Sequence, residues 1–202
     1  REGGVMKKII SLFQRNYAGD RLVRDEIVPG AEWVVAGEGV ATQKIDGTCC
    51  SVRDGKLFKR HDAKKGRQPP EGFEPAQPAA DPVTGHWPGW MPVGNDPGDK
   101  YHLEAWNRTG DPDRPMGSSA GLPDGTYELC GPKVQGNSEG YDHHVLVRHG
   151  STILPDCPRT FDGLRAYLGD GAIEGIVWHH PDGRMVKIKG KDFGIARRKA
   201  RM

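Results

Sequence analysis

Lys44 stands one residue before an Asp46-Gly47 turn signal, inside the apolar, strand-like run from Val40 to Val52. Strand interiors favour β-branched and aromatic side chains, and a half-buried ammonium loses hydration. The placement has a chemical use. Desolvation and neighbouring cations favour the neutral amine, and a neutral amine attacks electrophiles. An exposed lysine beside a hairpin turn explains Lys44-Ile45-Asp46-Gly47-Thr48 equally well when the pentapeptide is taken alone, because short motifs match by chance.

Four further segments bear on the chemistry. Lys187 and Lys189, in Val186-Lys187-Ile188-Lys189-Gly190, share one face of a strand, since side chains alternate with a period of two. Two ammonium groups on one face repel unless an anion lies between them, and a polyphosphate suits that role. Glu128 in Tyr127-Glu128-Leu129-Cys130-Gly131 and Glu174 in Glu174-Gly175-Ile176-Val177 supply carboxylates for a cation or for sugar hydroxyls. Arg60 offers a fork of donors to a phosphate. Each has an ordinary alternative: a sheet-edge charge for Glu128, a helix end or turn for Glu174, an exposed strand face for the lysines, a surface ion pair for Arg60.

The elements that must carry these residues are mostly strands. Val40–Ile45 and Thr48–Arg53 read as successive strands, and Asp54-Gly55 is a hairpin signal that returns the chain as Lys56–Arg60. Glu32–Val35 reads as a strand followed by a Gly37/Gly39 bend, and Met6–Tyr17 as a short helix or strand. Thr126–Cys130, His144–Val147, Ile173–Trp178 and Arg184–Ile188 are further strands, the last two joined at Pro181-Asp182-Gly183. Thr160–Leu168 fits a helix with Thr160 as N-cap and Phe161, Leu164, Tyr167 and Leu168 on one face. Between about 61 and 123 the chain is dense in Gly, Pro, Asp and Lys. It reads as a long irregular insertion, with Trp87, Trp90 and Trp106 pinning it to the core and Tyr101–Trp106 as a short strand or helical turn. No linker splits the chain, so residues 1–202 are expected to form one antiparallel α+β domain.

Composition narrows the classes. The 202 residues are 35% hydrophobic and 28% charged, as for a folded protein with a modest core, and 29 glycines with 16 prolines demand many turns. A net charge of +2 does not by itself argue for nucleic acid. No apolar run approaches the roughly 18 residues of a membrane span, and no signal peptide is evident. Cys49, Cys50, Cys130 and Cys157 show no CxxC spacing, which disfavours structural zinc and points to reduced thiols in a cytoplasm. Cys49 and Cys50 are expected on opposite faces of a strand. The pairs His143-His144 and His179-His180 lack cysteine or carboxylate ligands at metal spacing and read as solvent-exposed or structural.

Lys44-x-Asp46-Gly47, Glu128-Leu129-x-Gly131, Glu174-Gly175-Ile176-Val177 and Lys187-x-Lys189 resemble, in order, the motifs of covalent nucleotidyltransferases. Within that superfamily, Glu128-Leu129-Cys130-Gly131-Pro132-Lys133-Val134-Gln135-Gly136-Asn137 and Lys187-Ile188-Lys189-Gly190-Lys191-Asp192-Phe193-Gly194 look most like an ATP-dependent RNA ligase. The likeness runs from Lys44 to Gly194 and leaves the insertion unmatched. It implies an antiparallel-sheet nucleotidyltransferase (adenylation) domain of the ATP-grasp-like ligase type. Few residues follow Gly194, so no C-terminal OB-fold is expected.

The resemblance also implies roles. Lys44 would attack the α-phosphate of ATP and form lysyl-AMP. Lys187 and Lys189 would neutralise that phosphate, and Arg60 would grip a phosphate. Asp46 and Gly47 belong to the nucleotide-binding set, Gly47 by allowing close backbone approach. Glu128 would hold ribose or a metal, and Glu174 the metal, as Mg²⁺ or Mn²⁺. The Gln43 carbonyl would meet the adenine amino group, and His144, or else Leu146 or Tyr141, would pack on the base. AMP would pass to an RNA 5′-phosphate, and a 3′-hydroxyl would seal the break, as in RNA repair. A DNA ligase, an mRNA capping guanylyltransferase and a non-catalytic nucleotide- or RNA-binding module are the alternatives.

Overall fold

In the computed structural model, which describes residues 9–108 and 121–198, the chain begins with β1 (Ile10–Ser11), β2 (Phe13–Arg15) and β3 (Val23–Ile27). A four-residue helix, α1 (Glu32–Val35), leads to β4 (Val40–Lys44), β5 (Thr48–Arg53) and β6 (Lys56–Ala63). Next come β7 (Glu74–Pro75), β8 (Trp87–Pro92), α2 (Lys100–Arg108), β9 (Gly125–Cys130) and β10 (Val145–Arg148). The order ends with α3 (Phe161–Tyr167), β11 (Gly175–His179) and β12 (Met185–Lys189). Single 3₁₀ turns lie at Pro97–Asp99, Gln135–Asn137 and Gly190–Phe193. The class is α+β, with mostly antiparallel sheets and few helices. Among the described residues, no helix is long and apolar enough to cross a membrane.

The described residues fold as two compact units, one within Gly47–Arg148 and one of Ile9–Asp46 with residues 149–198. The latter is built on a four-stranded sheet ordered β1-β12-β11-β4, in which only the β1–β12 pair is parallel. One face of this sheet is the core. Ala41, Ile176, Trp178, Val186 and Ile188 pack there with Leu12, Phe13, Trp33, Leu164 and Leu168. β12 shows why it is a strand: Val186 and Ile188 are buried while Met185, Lys187 and Lys189 alternate with them, half-buried. The Thr160 hydroxyl caps α3 by accepting from the Gly163 N–H at 3.2 Å, as its sequence position predicts.

Glu32–Val35 corrects the expectation of a strand. Trp33 and Val34 are neighbours and both buried, which alternation in a strand facing one core does not allow and a helical turn does. The Arg159 guanidinium donates to the Val34, Glu38 and Gly39 carbonyls and so satisfies the end of this helix. The bend at Gly37 and Gly39 is present, both at positive φ.

The other unit is a six-stranded antiparallel sheet ordered β10-β9-β5-β6-β8-β7. Asp54 and Gly55, at φ 47° and 69°, make the tight β5–β6 hairpin. Cys50, Val52, Leu57, Tyr127, Leu129 and Leu146 line its core face, closed by Ala105, Tyr101 and Trp106 of α2. The described part of the region 61–123 is therefore more regular than its composition suggests. It completes β6, adds β7 and β8, and contributes the helix that covers the core. Two of its tryptophans pin it down, Trp90 being buried with Phe58 and Ala76 and Trp106 packing on the core, while the Trp87 indole bonds within the region, donating to the Gln77 carbonyl. Cys49 packs on the Phe58–Trp90 side and Cys50 in the opposite core, as their adjacency requires.

Candidate active site

Register assembles the lysines. Lys44 pairs with Gly175, and Gly175 pairs with Lys189, so the three stand in one row across β4, β11 and β12. Paired residues project to the same face of a sheet. The next row on that face is Thr42, Val177 and Lys187. Lys44, Lys187 and Lys189 thus share the face opposite the core, and Gly175 between the first and last removes the side chain that would separate them. A Cβ at Gly175 would lie 2.2 Å from the Ile188 carbonyl oxygen, so no other residue fits this close strand approach.

Glu174 precedes Gly175, and its carboxylate holds the Lys44 ammonium at 2.8 Å. Burial pushes the Glu174 carboxyl above its ordinary value and Asp46 adds to that; Lys44 and Lys189 oppose it. Burial also drives the Lys189 amine down to about 8, with Lys191 and Lys187 adding to the effect and Asp192 resisting it. Both residues carry charge in a place that disfavours it, a pattern that concentrates at functional sites. A cavity of about 170 Å³ opens beside Asp46 and Glu174, walled by Ile173, Gly190, Lys191 and Arg197. Gln43 faces the opposite way from Lys44, beside core residue Ile176, and its N–H donates to the Thr152 carbonyl at 2.8 Å.

The six-stranded sheet holds the other expected residues. Glu128 is buried on β9, opposite Cys49 of β5, and Arg60 on β6 is opposite Trp90 of β8, bonded through Nε to Asp62 at 2.8 Å. Gly47 is demanded by β9 itself, since a Cβ there would lie 2.2 Å from the Leu129 carbonyl oxygen. His144 is buried, its ring stacked on Tyr101 of α2 at 4.5 Å. Its Nε2 accepts from the Lys133 N–H at 3.3 Å, which leaves Nδ1 to face Glu104 at 3.1 Å. That contact holds the Glu104 carboxyl below its ordinary value. Leu146 belongs to the core.

Sequence reasoning missed Asp192. This carboxylate is 1% exposed, accepts from the Lys189 backbone N–H at 2.9 Å and pairs with the Arg15 guanidinium. The spacing Lys189-x-x-Asp192, an acid three residues past a strand end, is the available signal, because it matches the N-cap to N3 relation of a helical turn.

Comparison with known proteins gives one consistent result. The family model described as RNA ligase 1 matches residues 117–201. The RNA ligase 1 of Mus musculus is 30% identical, with 77% of this chain and 67% of that protein covered. Those of Rattus norvegicus and Danio rerio are 29% and 27% identical with the same shares covered.

Proposed function

Because the chain belongs to the RNA ligase 1 family, we propose that it is an ATP-dependent RNA ligase in which Lys44 carries AMP covalently. The observation that carries this reading is the row Lys44–Gly175–Lys189 with the Glu174 carboxylate 2.8 Å from the Lys44 amine. An acid–base pair set beside two further lysines suits attack on a phosphate better than it suits a solvated strand face.

In the first step the Lys44 Nζ attacks the α-phosphorus of ATP. A P–N bond forms, the bond to the β-phosphate oxygen breaks, and pyrophosphate leaves. An ammonium cannot attack, so the Lys44–Glu174 pair must open and the amine must lose a proton first. Lys187 and Lys189 offset the negative charge at the α-phosphate as the displacement proceeds. AMP then passes to an RNA 5′-phosphate, freeing Lys44. An RNA 3′-hydroxyl finally attacks that activated phosphate, and AMP leaves.

Oxygen donors suit Mg²⁺ or Mn²⁺, and Glu174, whose half-buried carboxylate is disfavoured as a lone charge, fits such an ion; the buried Glu128 is the second acid proposed as a ligand. The ion would supply charge neutralisation for the triphosphate. Arg60 and His144 are proposed to contact phosphate and base, Gln43 and Asp46 to belong to the nucleotide-binding set. In this reading both units belong to one adenylation domain.

The test is incubation with α-labelled ATP or GTP and a divalent ion, followed by denaturing electrophoresis. Label from ATP, lost with excess chelator, and sealing of 5′-phosphorylated RNA in preference to DNA are expected. Label from GTP alone would mean a guanylyltransferase, faster sealing of DNA a DNA ligase, and no label a binding module.

A further inference from the structure

β12 loses a strand partner just before its last residue. β1 ends at Ser11, opposite Lys187, and the Leu12 N–H donates to the Lys187 carbonyl at 2.8 Å. The next N–H on that edge belongs to Lys189. Continued parallel pairing would send it to the Leu12 carbonyl, but that oxygen already accepts from the Val28 N–H at 2.9 Å. The Lys189 N–H goes instead to Asp192 Oδ2 at 2.9 Å. On the opposite edge the Gly190 N–H donates to the Glu174 carbonyl at 3.0 Å. The backbone around Lys189 is therefore tied on one side to the segment bearing Glu174 and on the other to a single buried carboxylate.

That carboxylate has its own anchor. Its other oxygen takes the Arg15 guanidinium from β2, a partner 177 residues away in sequence. A neutral acceptor would satisfy one N–H at lower desolvation cost than a buried ion pair. The pair instead makes two charge-assisted contacts through one side chain, which fixes geometry more stiffly than a neutral bond. Strand ends otherwise open readily. Asp192 also favours the charged form of the Lys189 amine against the burial that opposes it.

Resting on the ligase reading, we infer that Asp192, clamped by Arg15, is a positioning residue: it replaces the missing strand partner of Lys189 and so holds that ammonium in the row with Lys44. Reaction at phosphorus is sensitive to such placement, because a misplacement of about 1 Å costs on the order of a hundredfold in rate.

The experiment compares lysyl-AMP formation by wild type, Asp192→Asn, Arg15→Lys and Lys189→Ala, and by the double variant Asp192→Asn/Lys189→Ala. At saturating ATP, Asp192→Asn is expected to be about tenfold to a hundredfold slower, with the half-saturating ATP concentration changed less than about threefold. In the Lys189→Ala background the same change should cost less than about twofold, because the group it positions is gone. A merely structural role would instead multiply with the Lys189 loss. Amide hydrogen exchange by NMR gives a readout free of activity: Asp192→Asn should weaken protection at Lys189 while leaving Val186 and Ile188 protected. Wild-type labelling rates in Asp192→Asn, multiplying losses, or unchanged Lys189 protection would each overturn the inference and leave the ligase reading standing. A wild type that takes no label would overturn both.

Discussion

Two lysine–carboxylate pairs, one in each unit, invite comparison. Lys44 on β4 meets Glu174 at 2.8 Å, and Lys59 on β6 meets Asp99, the last residue of the 3₁₀ turn before α2. The lysine side chains are almost equally exposed, at 25% and 26%, but Glu174 keeps 20% exposure where Asp99 keeps 2%. Their acids move in opposite directions. Burial raises Glu174, and Lys44 does not overcome it. Burial also works to raise Asp99, but the Gly94 N–H at 2.9 Å and Lys59 more than offset it, and its carboxyl sits below the ordinary value. A carboxylate given a backbone donor and a lysine is satisfied and fastens structure. Glu174, which Lys44 and Lys189 favour less than burial and the nearby Asp46 oppose, keeps an unfavourable charge that a substrate or ion can relieve. The Asp99 pair ties the 61–123 region to the sheet; the Glu174 pair sits where attack on phosphate is proposed.

The largest expected effect tests the second pair. Lys44→Ala and Lys44→Arg should both take no label from α-labelled ATP while keeping the wild-type denaturation curve within about 1 kcal/mol, since a guanidinium stays protonated. Normal labelling of either variant would remove the contrast. Lys187→Ala comes next, with a loss of about a hundredfold in labelling rate, on the order of 3 kcal/mol in the barrier. A rate near wild type would show that this row of the face takes no part.

The first pair should fail differently. Asp99→Ala is expected to lower folding stability by roughly 2–3 kcal/mol in denaturant titration, with the labelling rate per folded molecule unchanged. Because the folded Asp99 value lies below the unfolded value of about 3.9, its contribution is complete above that pH. The gap between wild type and variant should stay constant from about pH 5 to 7 and close as the pH falls below about 3.9. A gap that widened in acid would reverse the assignment.

The smallest effect sharpens the comparison. Lys189 holds its charge at a cost, with its amine at about 8 in the folded protein. Lys189→Met should therefore stabilise the fold at neutral pH by on the order of 1 kcal/mol, allowing for solvent screening of a half-exposed group, while labelling is lost. The unfolded chain binds more protons between about 8 and 10.4, so wild-type stability rises across that window and the advantage of the variant shrinks. A destabilised variant at pH 7 would mean that the amine is satisfied where it stands.

Local physics made much of this molecule legible in its sequence. The Asp54-Gly55 hairpin, the Thr160 cap and the alternation of β12 depend on residues within a few positions of one another, and each appears as expected. The pairing of Lys187 with Lys189 on one face follows from the same period of two. Glu32–Val35 did not yield to this reading, because four residues are too few to show a period and only the shared burial of Trp33 and Val34 identifies a helix. α2 was legible only in part: Tyr101–Trp106 reads as a short strand or helical turn amid Gly and Pro, and the core it covers decides for a helix from Lys100 to Arg108.

Sequence order by itself determined which residue types are present for phosphoryl chemistry and which strand carries each. Only the tertiary structure decided that Lys44, Gly175 and Lys189 form one row, that Glu174 meets Lys44 across 130 residues, and that Asp192 and Arg15 complete a strand end across 177. Strand register and ion-pair choice are set by contacts far apart along the chain, where every one-residue slip would exchange the faces of a sheet, and no local pattern records which slip the folded core selects.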